Sequence, residues 1–356
     1  MPVARKPRSA GFFNFDEHDL IEIARAYGLR TADAFYPILL DGETATLLEV
    51  RSATSRKAMI EDEGRRWFLK QIPWYAQDER QLDFSHAYQT AVHRTTGLAP
   101  AIRTTLDGAG RLSLRGGVFV LYEHVKGVRY TGAGAQLHGA GKALARLHSC
   151  APSLDAAPGE DYPGLVADHL ALADDAGGPA VRPLIDLLDA ELKSAREELH
   201  RSGWEQLPQA AVHGDVNPWN LLFAEQGQVK AVLDFDNCDR GSRLRDVAEA
   251  VLTFGGLAYA QDSTSFARPF RCEIREERAA RLIDGYRRAT PDPFTEAELR
   301  CADAVLRTVF VELAALGVIK GELGAGDEGY LRQWLREAPP LSLWLQGGQD
   351  EEEARA

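Results

Sequence analysis

The first apolar positions of the chain repeat every three or four residues, as they do on one face of an amphipathic helix. The residues concerned are Leu20, Ile23, Ala24 and Tyr27. Asp16 precedes this segment and can accept hydrogen bonds from a first helical turn, while Gly28 follows it and favours a stop. The pattern predicts one leading helix.

Short runs of β-branched and aromatic residues follow, with turns of glycine and aspartate between them. The runs lie around residues 36–40, 44–50, 66–72 and 118–122. A helical pattern from Glu79 to Thr96, ended by Gly97, separates the third run from the fourth. We therefore predict a mixed β-sheet with a packed helix over residues 1–123.

From residue 124 onward the apolar spacing becomes mostly helical. In the segment AQLHGAGKALARLH, one helix face carries Leu137, Gly141, Leu144 and His148. Residues 124–346 are therefore predicted to form a larger, mainly α-helical lobe. The tail at 347–356 is polar and rich in charge, which is typical of a solvated, disordered chain end. The predicted fold class is α+β with two lobes.

Composition narrows the class of protein further. The chain has 356 residues, 45% of them hydrophobic, so it can bury one large or two moderate cores. Its formal charge of −12 argues against a nucleic-acid binder that works by neutralising phosphates. Its four cysteines lack metal-binding spacing and fit a reducing compartment, and no apolar segment predicts an export signal or a membrane span. We expect a cytoplasmic protein with no membrane partner.

A cluster of polar residues interrupts an apolar stretch at HGDVNPWN, residues 213–220. Asp215 and Asn220 lie five positions apart, which is the interval between the base and a metal ligand in kinase catalytic loops. Phosphoryl transfer needs a carboxylate beside the attacking hydroxyl and an oxygen ligand for Mg²⁺ a short loop away. Taken alone, the same interval also fits a turn or a helix cap.

A second apolar run, AVLDFD, places Asp234 19 residues after Asp215. Kinases bring a second oxygen ligand for the metal from a neighbouring strand in this way. We count Asp236, in the same run, as a supporting acid. We interpret His213 as a residue that holds the loop through backbone hydrogen bonds rather than one that donates a proton to substrate. Asp246 is either a helix cap or a brace for the loop, and the brace is preferred.

These residues carry a resemblance to a known family. HGDVNPWNLLF, followed by VLDFDNCDRGSRLRDVA, resembles the pattern of the aminoglycoside phosphotransferase and choline kinase superfamily, and GKALARLH matches a helix that precedes it there. The resemblance runs from about residue 36 to about residue 320 and implies a bilobal, protein-kinase-like fold. It also implies transfer of the γ-phosphoryl group of ATP or GTP to a hydroxyl of a small molecule. Asp215 would be the catalytic base, and Asn220 and Asp234 would be the Mg²⁺ ligands.

The resemblance makes residues 1–123 a nucleotide-binding lobe. Lys70 lies inside an apolar β-run, where an ammonium group is costly without an anionic partner, and it matches the lysine that contacts the α- and β-phosphates. A snorkelling lysine on an edge strand is the alternative. The family usually pairs this lysine with a Glu of the next helix. Here Glu79 and Asp83 are the candidates, and neither aligns cleanly.

Two further segments of this lobe resemble parts of a nucleotide site. The hairpin LLDGETATLLEV would cover the phosphates, with Gly42 allowing close backbone approach and Thr44 offering a hydroxyl. VFVLYEHVKG resembles the hinge between the lobes. Its adenine contacts would come from the backbone of Glu123, His124 and Val125 and from the side chain of Tyr122 or Val125.

The sequence says less about which molecule accepts the phosphoryl group than about the transfer itself. Residues 151–200 hold eleven acidic and three basic residues, which suits capture of a cationic or polyhydroxylated molecule and equally fits a solvated helical face. We rank a natural-product antibiotic first, because the composition is typical of high-GC soil bacteria, and homoserine, a choline-like amino alcohol or a sugar second. We expect a monomer or a homodimer.

Two other classes of protein are weighed against a kinase. A catalytically silent pseudokinase is disfavoured because Lys70, Asp215, Asn220 and Asp234 are all present. A hydrolase that uses Asp215 and His213 as a dyad would need a nucleophile, and the sequence contains no GxSxG motif.

Overall fold

The computed structural model describes residues 17–29, 35–37, 56–73, 76–150, 159, 161–256 and 272–347. They divide into two compact units. The sheet unit comprises the described residues of Met1–Leu82 and Pro100–Val125, and the helical unit comprises Asp83–Ala99 and the described residues from Lys126 onward. The α+β class predicted from the sequence is confirmed. Gly347 is the last described residue, so the rest of the predicted tail lies outside the described residues.

The sheet unit contains a six-stranded sheet. Its strands are β1 (Phe35–Pro37), β2 (Lys57–Asp62), β3 (Arg65–Gln71), β4 (Ile102–Arg103), β5 (Leu112–Leu114) and β6 (Gly117–Glu123). The order is β1-β2-β3-β6-β4, with β5 paired to β6. We predicted a mixed sheet, but every described pairing is antiparallel. For β2 and β3 the reason is a tight turn at Glu63 and Gly64, whose φ angles of 50° and 74° suit a two-residue hairpin, and a two-residue turn also joins β5 to β6.

One face of this sheet is covered by the leading helix, which is α1 (Glu17–Ala26). Ile23 and Tyr27 are buried there against apolar side chains of the strands, including Leu69 and Phe119. The Tyr27 hydroxyl donates a hydrogen bond to the Phe119 carbonyl oxygen at 3.0 Å. The apolar face of this helix, which the pattern at the start of the chain predicts, therefore packs into the core of the sheet unit.

Two of the four predicted strand runs are confirmed as β3 and β6. Of the run at 36–40 only residues 36 and 37 are described, in β1, and the run at 44–50 lies outside the described residues together with the predicted cap Asp16. The short strands β2, β4 and β5 were not predicted, because a segment of two to six residues carries little periodicity.

The helical unit is built from α-helices and two small antiparallel sheets. The helices are α2 (Glu79–Thr96, most of which belongs here), α3 (Gly134–His148), α4 (Tyr162–Gly177), α5 (Arg182–Ser202), α6 (Leu244–Ala250), α7 (Glu276–Arg287), α8 (Glu296–Lys320), α9 (Glu328–Glu337) and α10 (Leu341–Gln346). The strands are β7 (Ala210–Val212), β8 (Leu221–Phe223), β9 (Val229–Val232) and β10 (Asp239–Gly241). Strand β7 pairs with β10 and β8 pairs with β9. Among the described helices, none is both long enough and apolar enough to span a membrane.

Helices α3 and α7 cross with their backbones in direct contact, and glycine makes this possible. A Cβ atom added to Gly141 of α3 would lie 1.9 Å from the Leu282 carbonyl oxygen of α7. A Cβ added to Gly285 of α7 would lie 2.2 Å from the His138 carbonyl oxygen of α3. The crossing fixes the C-terminal end of α3, and with it His148, against α7. Gly141, which the sequence placed on the apolar face of this helix, is therefore a packing residue.

Replacing Gly141 by Ala should force α3 and α7 apart. Because the nearest atom is a backbone oxygen and cannot rotate away, we expect the free energy of unfolding to fall by about 3 kcal/mol. The measurement is urea denaturation followed by circular dichroism. Gly329→Ala in α9 is the matched control, since nothing lies within 4 Å of its added Cβ, and helix propensity predicts no loss of stability there. Equal stability of the two variants would contradict the close crossing.

Candidate active site

The predicted catalytic segment connects short strands of the helical unit. Residues 213–220 follow β7 and lead into β8, and Asp234 follows β9 after one intervening residue. Asp215 and Asp234 are partly exposed, whereas Asn217 and Asn220 between them are buried. The two carboxylates can therefore be reached by a ligand, while the residues that hold them belong to the interior.

Both carboxylate oxygens of Asp215 accept a side-chain hydrogen bond. Asn217 Nδ2 donates to Oδ1 at 2.6 Å, and Asn220 Nδ2 donates to Oδ2 at 2.8 Å. Asn217 Oδ1 in turn accepts from the backbone N–H groups of Trp219 and Asn220, at 3.0 and 3.2 Å, in an Asx-type turn. Asn217 was missed in the sequence, although an Asn followed by Pro is a turn signal that could have marked it. The orientation of Asp215 is fixed by this loop.

Asn220 connects the loop to the strand that carries Asp234. Its Nδ2 also donates to the Asp215 carbonyl oxygen at 2.9 Å, so both amide hydrogens point toward Asp215. Its backbone carbonyl oxygen accepts from the Leu233 N–H at 2.7 Å, which places Asp234 one residue away. Asp234 itself has left-handed backbone angles, φ 67° and ψ 63°, which a non-glycine residue adopts at a cost of about 1 kcal/mol. Asp236 lies in the turn that follows.

The donor set at this point fits a hard cation. With both Nδ2 hydrogens used, the Asn220 Oδ1 atom makes no hydrogen bond to any described residue, and it is an oxygen donor like the Asp234 carboxylate. Mg²⁺ is commonly held by one or two such groups, with water and phosphate oxygens completing its shell. Among the described residues, no group of three or more His, Cys, Asp or Glu side chains forms a metal site. A dedicated all-protein cage is therefore not found in that part of the chain.

Asp246, at the start of α6, accepts hydrogen bonds from the backbone of the loop. Its Oδ2 accepts from the His213 N–H at 2.7 Å and its Oδ1 from the Gly214 N–H at 2.9 Å. The His213 ring contacts the strand on the other side, because Nε2 donates to the Leu233 carbonyl oxygen at 3.0 Å. His213 thus contacts α6 through its backbone and β9 through its side chain. Of the predicted supporting residues, Asp246 binds the loop from α6 and His213 connects the loop to the residue that follows β9.

A third donor to Asp246 comes from α3, where His148 Nε2 lies 3.0 Å from Oδ2. His148 Nδ1 accepts from the Tyr286 hydroxyl of α7 at 2.8 Å. Burial acts to raise the pKa of the Asp246 carboxyl, but the hydrogen bonds and charges of His148 and His213 outweigh it and lower that pKa below its ordinary value. The sequence placed His148 on an apolar helix face, and a buried histidine there was the available signal for this contact.

Glu249 of α6 is a buried acid that the sequence did not single out. Burial and the nearby charges of Asp215 and Asp246 raise its pKa well above the ordinary value. The Thr253 hydroxyl, one turn later, donates to the Val216 carbonyl oxygen at 2.8 Å, which holds this end of the helix against the loop. The raised pKa favours the protonated form of Glu249, which lessens its charge repulsion with Asp215. The segment RDVAEA has the pattern of an ordinary amphipathic helix, so nothing in the sequence marks Glu249 as a residue of the site.

Several of the residues predicted to bind the nucleotide lie in or next to the central strands β3 and β6 of the sheet unit. Lys70 is buried in β3, between Lys57 of β2 and Val120 of β6. Tyr122 and Glu123 end β6, and Val125 lies two residues beyond that strand. Gly42 and Thr44 lie outside the described residues, and the candidate partners of the lysine, Glu79 and Asp83, are both in α2.

The hinge stays a prediction, and the structure shows which of its backbone N–H groups are already hydrogen-bonded. The N–H groups of Glu123 and His124 already donate to the carbonyl oxygens of Ala101 and Arg66, at 2.8 and 3.1 Å. They are therefore not available to a nucleotide base. The N–H of Val125 makes no hydrogen bond to a described residue, and it is the donor that remains in this segment.

Comparison with known proteins agrees with this geometry. Residues 46–291 match the model of the APH phosphotransferase enzyme family, and this segment includes Lys70, the loop, Asp234 and Asp246. The chain belongs to the phosphotransferase enzyme family. It is by that membership a phosphotransferase, and the sequence resemblance is confirmed. The sequence has no significant match among curated proteins.

Solved structures of phosphotransferases and kinases share the fold. An amicoumacin kinase in complex with AMP-PNP, Ca²⁺ and amicoumacin has a TM-score of 0.66 at 15% identity, over 92% of this chain and 95% of that one. A spectinomycin phosphotransferase with ADP and spectinomycin has a TM-score of 0.57 at 12% identity, over 94% and 98% of the two chains. A microcompartment-associated aminopropanol kinase has a TM-score of 0.59 at 16% identity, over 89% and 98%. The predicted kinase-like fold is confirmed.

Replacing Asp246 by Asn should weaken the helical unit, because an amide NH₂ would then face groups that are themselves N–H donors. We expect the free energy of unfolding at pH 7 to fall by about 3 kcal/mol in urea denaturation. Asp186→Asn, an exposed change on α5, should alter stability by less than about 0.5 kcal/mol.

The pH dependence of this loss has a definite sign. Because the folded pKa of Asp246 lies below its ordinary value of 3.8, its contribution to stability is present above that pH and is lost only as the pH falls through the folded pKa. The difference between wild type and Asp246→Asn should therefore be constant above about pH 5 and shrink in stronger acid. A difference that grows on acidification would contradict the assignment.

Proposed function

We propose that this phosphotransferase transfers the γ-phosphoryl group of ATP or GTP to a hydroxyl group of a small polar molecule in the presence of Mg²⁺. The observation that carries the proposal is the arrangement around Asp215. Both of its oxygens are held by loop amides, and Leu233, which precedes Asp234, is hydrogen-bonded to Asn220 and to His213. The arrangement would supply a fixed base and two oxygen ligands within one short loop and one strand end.

Asp215 would act as the base. Each of its oxygens accepts one hydrogen bond from an Asn side chain and keeps a second lone-pair direction for the acceptor hydroxyl. The hydroxyl would donate to this carboxylate, which orients its oxygen and takes its proton as the bond to phosphorus forms.

Asn220 Oδ1 and the Asp234 carboxylate would hold the metal ion. Bound Mg²⁺ supplies neutralisation of the charge on the phosphate oxygens. Asn220 would have two roles, since its Nδ2 orients the base while its Oδ1 holds the metal. The brace from Asp246 would keep the loop and β9 at constant separation during this step.

The nucleotide would be bound by residues of the sheet unit. Lys70 is the proposed contact to the α- and β-phosphates, and Gly42 and Thr44, in the segment whose sequence predicts a hairpin, would cover them. The Val125 N–H, which makes no hydrogen bond to a described residue, would donate to the edge of the base, and Tyr122 or Val125 would pack on its face. The complexes of the similar structures with AMP-PNP and ADP support a nucleotide donor.

For the acceptor we propose a natural-product antibiotic, so that the reaction would confer resistance by O-phosphorylation. Amicoumacin and spectinomycin in the complexes of two similar structures support this choice. The second candidate is a metabolic kinase of homoserine, a choline-like amino alcohol or a sugar, which the similar aminopropanol kinase supports. We further propose that the enzyme acts in the cytoplasm as a monomer or homodimer.

The two acidic residues should differ in the kinetic step that they control. Asp215→Ala should lower kcat by about 10²–10⁴-fold and leave nucleotide binding nearly unchanged, because a general base acts on the transition state. Asp234→Ala should instead weaken the Mg²⁺-dependent binding of ATP, because a metal ligand is lost. Steady-state kinetics and calorimetric titration of ATP with and without Mg²⁺ separate the two effects. Asp186→Asn serves as the surface control, and undiminished turnover in Asp215→Ala would remove the base assignment.

The acceptor class can be decided with purified enzyme. We expect ATP or GTP consumption and an added phosphate, detected by mass spectrometry, with an antibiotic from a panel of aminoglycosides, tuberactinomycin-like peptides and nucleoside antibiotics. Expression in a susceptible host should raise the inhibitory concentration of the same compound. Phosphorylation confined to homoserine, choline or a free sugar would favour the metabolic candidate and leave the kinase assignment intact.

A further inference from the structure

The helical unit contains a cavity of about 630 Å³ away from the candidate active site. It is open to solvent on one side and is lined by α3, the turn between β8 and β9, and α7. Its charged lining is basic, with Lys142 and Arg146 from α3 and Arg281 from α7, and no Asp or Glu is among the residues that line it. We call it the basic cavity. Its volume is in the range of sites that bind small organic ligands.

The position of the basic cavity separates it from the loop at 213–220. The cavity touches the turn end of the β8–β9 hairpin through Gly227 and Gln228, whereas Asn220 and Asp234 lie beyond the opposite end of the same two strands. Strands of three to four residues span roughly 10–13 Å. None of the proposed catalytic or metal-binding side chains lines the cavity.

The three cations of the basic cavity are not neutralised within the described part of the chain. Neither Lys142, Arg146 nor Arg281 forms an ion pair or a side-chain hydrogen bond with any described residue there. The nearby carboxylate of Asp284 is already shared by His138, at 3.4 Å, and Arg288, at 2.7 Å. In a chain with a net charge of −12, three unpaired cations in one cavity form a local positive field.

Lys142, Arg146 and Arg281 are solvent-exposed, so water and salt screen their mutual repulsion and keep it small. Lys142 and Arg146 lie four residues apart on the same face of α3, and like charges at that spacing destabilise a helix slightly. Helix α3 also begins with no acidic residue in its first turn and no side-chain cap, which leaves its positive end uncompensated. A bound anion would relieve both effects.

The walls of the cavity are pre-formed by glycine contacts. An added Cβ on Gly139 would lie 2.3 Å from the Gly227 carbonyl oxygen, so α3 and the hairpin turn touch backbone to backbone. An added Cβ on Gly134 would lie 2.1 Å from Arg281 Nη1, which places the guanidinium directly over the first turn of α3. The cavity therefore does not depend on side-chain rearrangement to exist.

We propose that the basic cavity is a second ligand site, which binds a small anion carrying phosphate groups. Lys142 provides a mobile ammonium and the two arginines provide planar donors suited to phosphate oxygens. The volume accommodates more than inorganic phosphate, so a diphosphate or a phosphorylated small molecule is the expected occupant. This site does not require the proposed phosphoryl transfer at Asp215.

Lysine footprinting tests the site directly in the full-length protein. Lys142 is exposed and reacts with an acetylating reagent, and peptide mass spectrometry reports its rate. Pyrophosphate in the presence of EDTA should slow acetylation of Lys142 by at least about threefold relative to NaCl of the same ionic strength, once the site is mostly occupied. Acetylation of Lys193, which pairs with Asp189 on α5, should not change.

Variants and ligand sources complete the experiment. The double variant Arg146→Gln, Arg281→Gln should abolish the protection of Lys142, whereas Arg336→Gln, an exposed arginine of α9, should retain it. Separate titrations with inorganic phosphate, glucose 6-phosphate and ATP identify which source of phosphate binds, and protection by any of them supports the site. Equal Lys142 rates in NaCl and in all four phosphate compounds, measured on the wild type, would overturn the proposal even if phosphoryl transfer were intact.

Discussion

The buried carboxylate of Asp246 is the acceptor on which the geometry of the active site depends. Its oxygens accept hydrogen bonds from two backbone N–H groups at the start of the loop and from one ring N–H of His148. The carboxylate, which has no contact with solvent, is therefore hydrogen-bonded at both oxygens. Leaving such a charge unpaired would cost several kcal/mol, which is why the loop, α3 and α6 are held together. His213 then extends the same connection to β9 and hence to Asp234.

Further buried acids lie near the loop, and the buried cation Arg245 lies among them. Arg245 of α6 lies over the Tyr162 ring at 4.3 Å and 3.9 Å from Glu312, whose Oε2 accepts from the Tyr162 hydroxyl at 2.7 Å. Burial acts to lower the pKa of Arg245, but Glu312 and the other nearby acids raise it, so the guanidinium stays charged. Helices α4, α6 and α8 thus meet at a charged network beneath Gly214, whose added Cβ would lie 3.5 Å from Arg245. The position of Asp215, the proposed base, is therefore coupled to the packing of the helical unit.

Much of the fold and part of the candidate site could be predicted from the sequence, for physical reasons that differ between elements. The helices α1 and α2 and the strand β3 follow from local periodicity, and the five-residue interval from Asp215 to Asn220 follows from the chemistry of phosphoryl transfer. A histidine on an apolar helix face marked His148, but its partners Tyr286 and Asp246 could not be predicted, because they come from segments that are far apart in the chain. Asn217 lies within the motif HGDVNPWN, and it was missed because its hydrogen bonds stabilise a turn instead of matching a catalytic pattern.

Amide hydrogen exchange at the start of the loop tests the central claim most directly, because it measures the two N–H groups that Asp246 binds. The account predicts that the His213 and Gly214 amides of the wild type exchange as slowly as the Val247 amide inside α6, which donates to the Arg243 carbonyl oxygen. It also predicts that both lose this protection in Asp246→Asn while Val247 keeps its own. Rapid exchange of both amides in the wild-type protein would contradict the account, because the loop would then be open to water on its own.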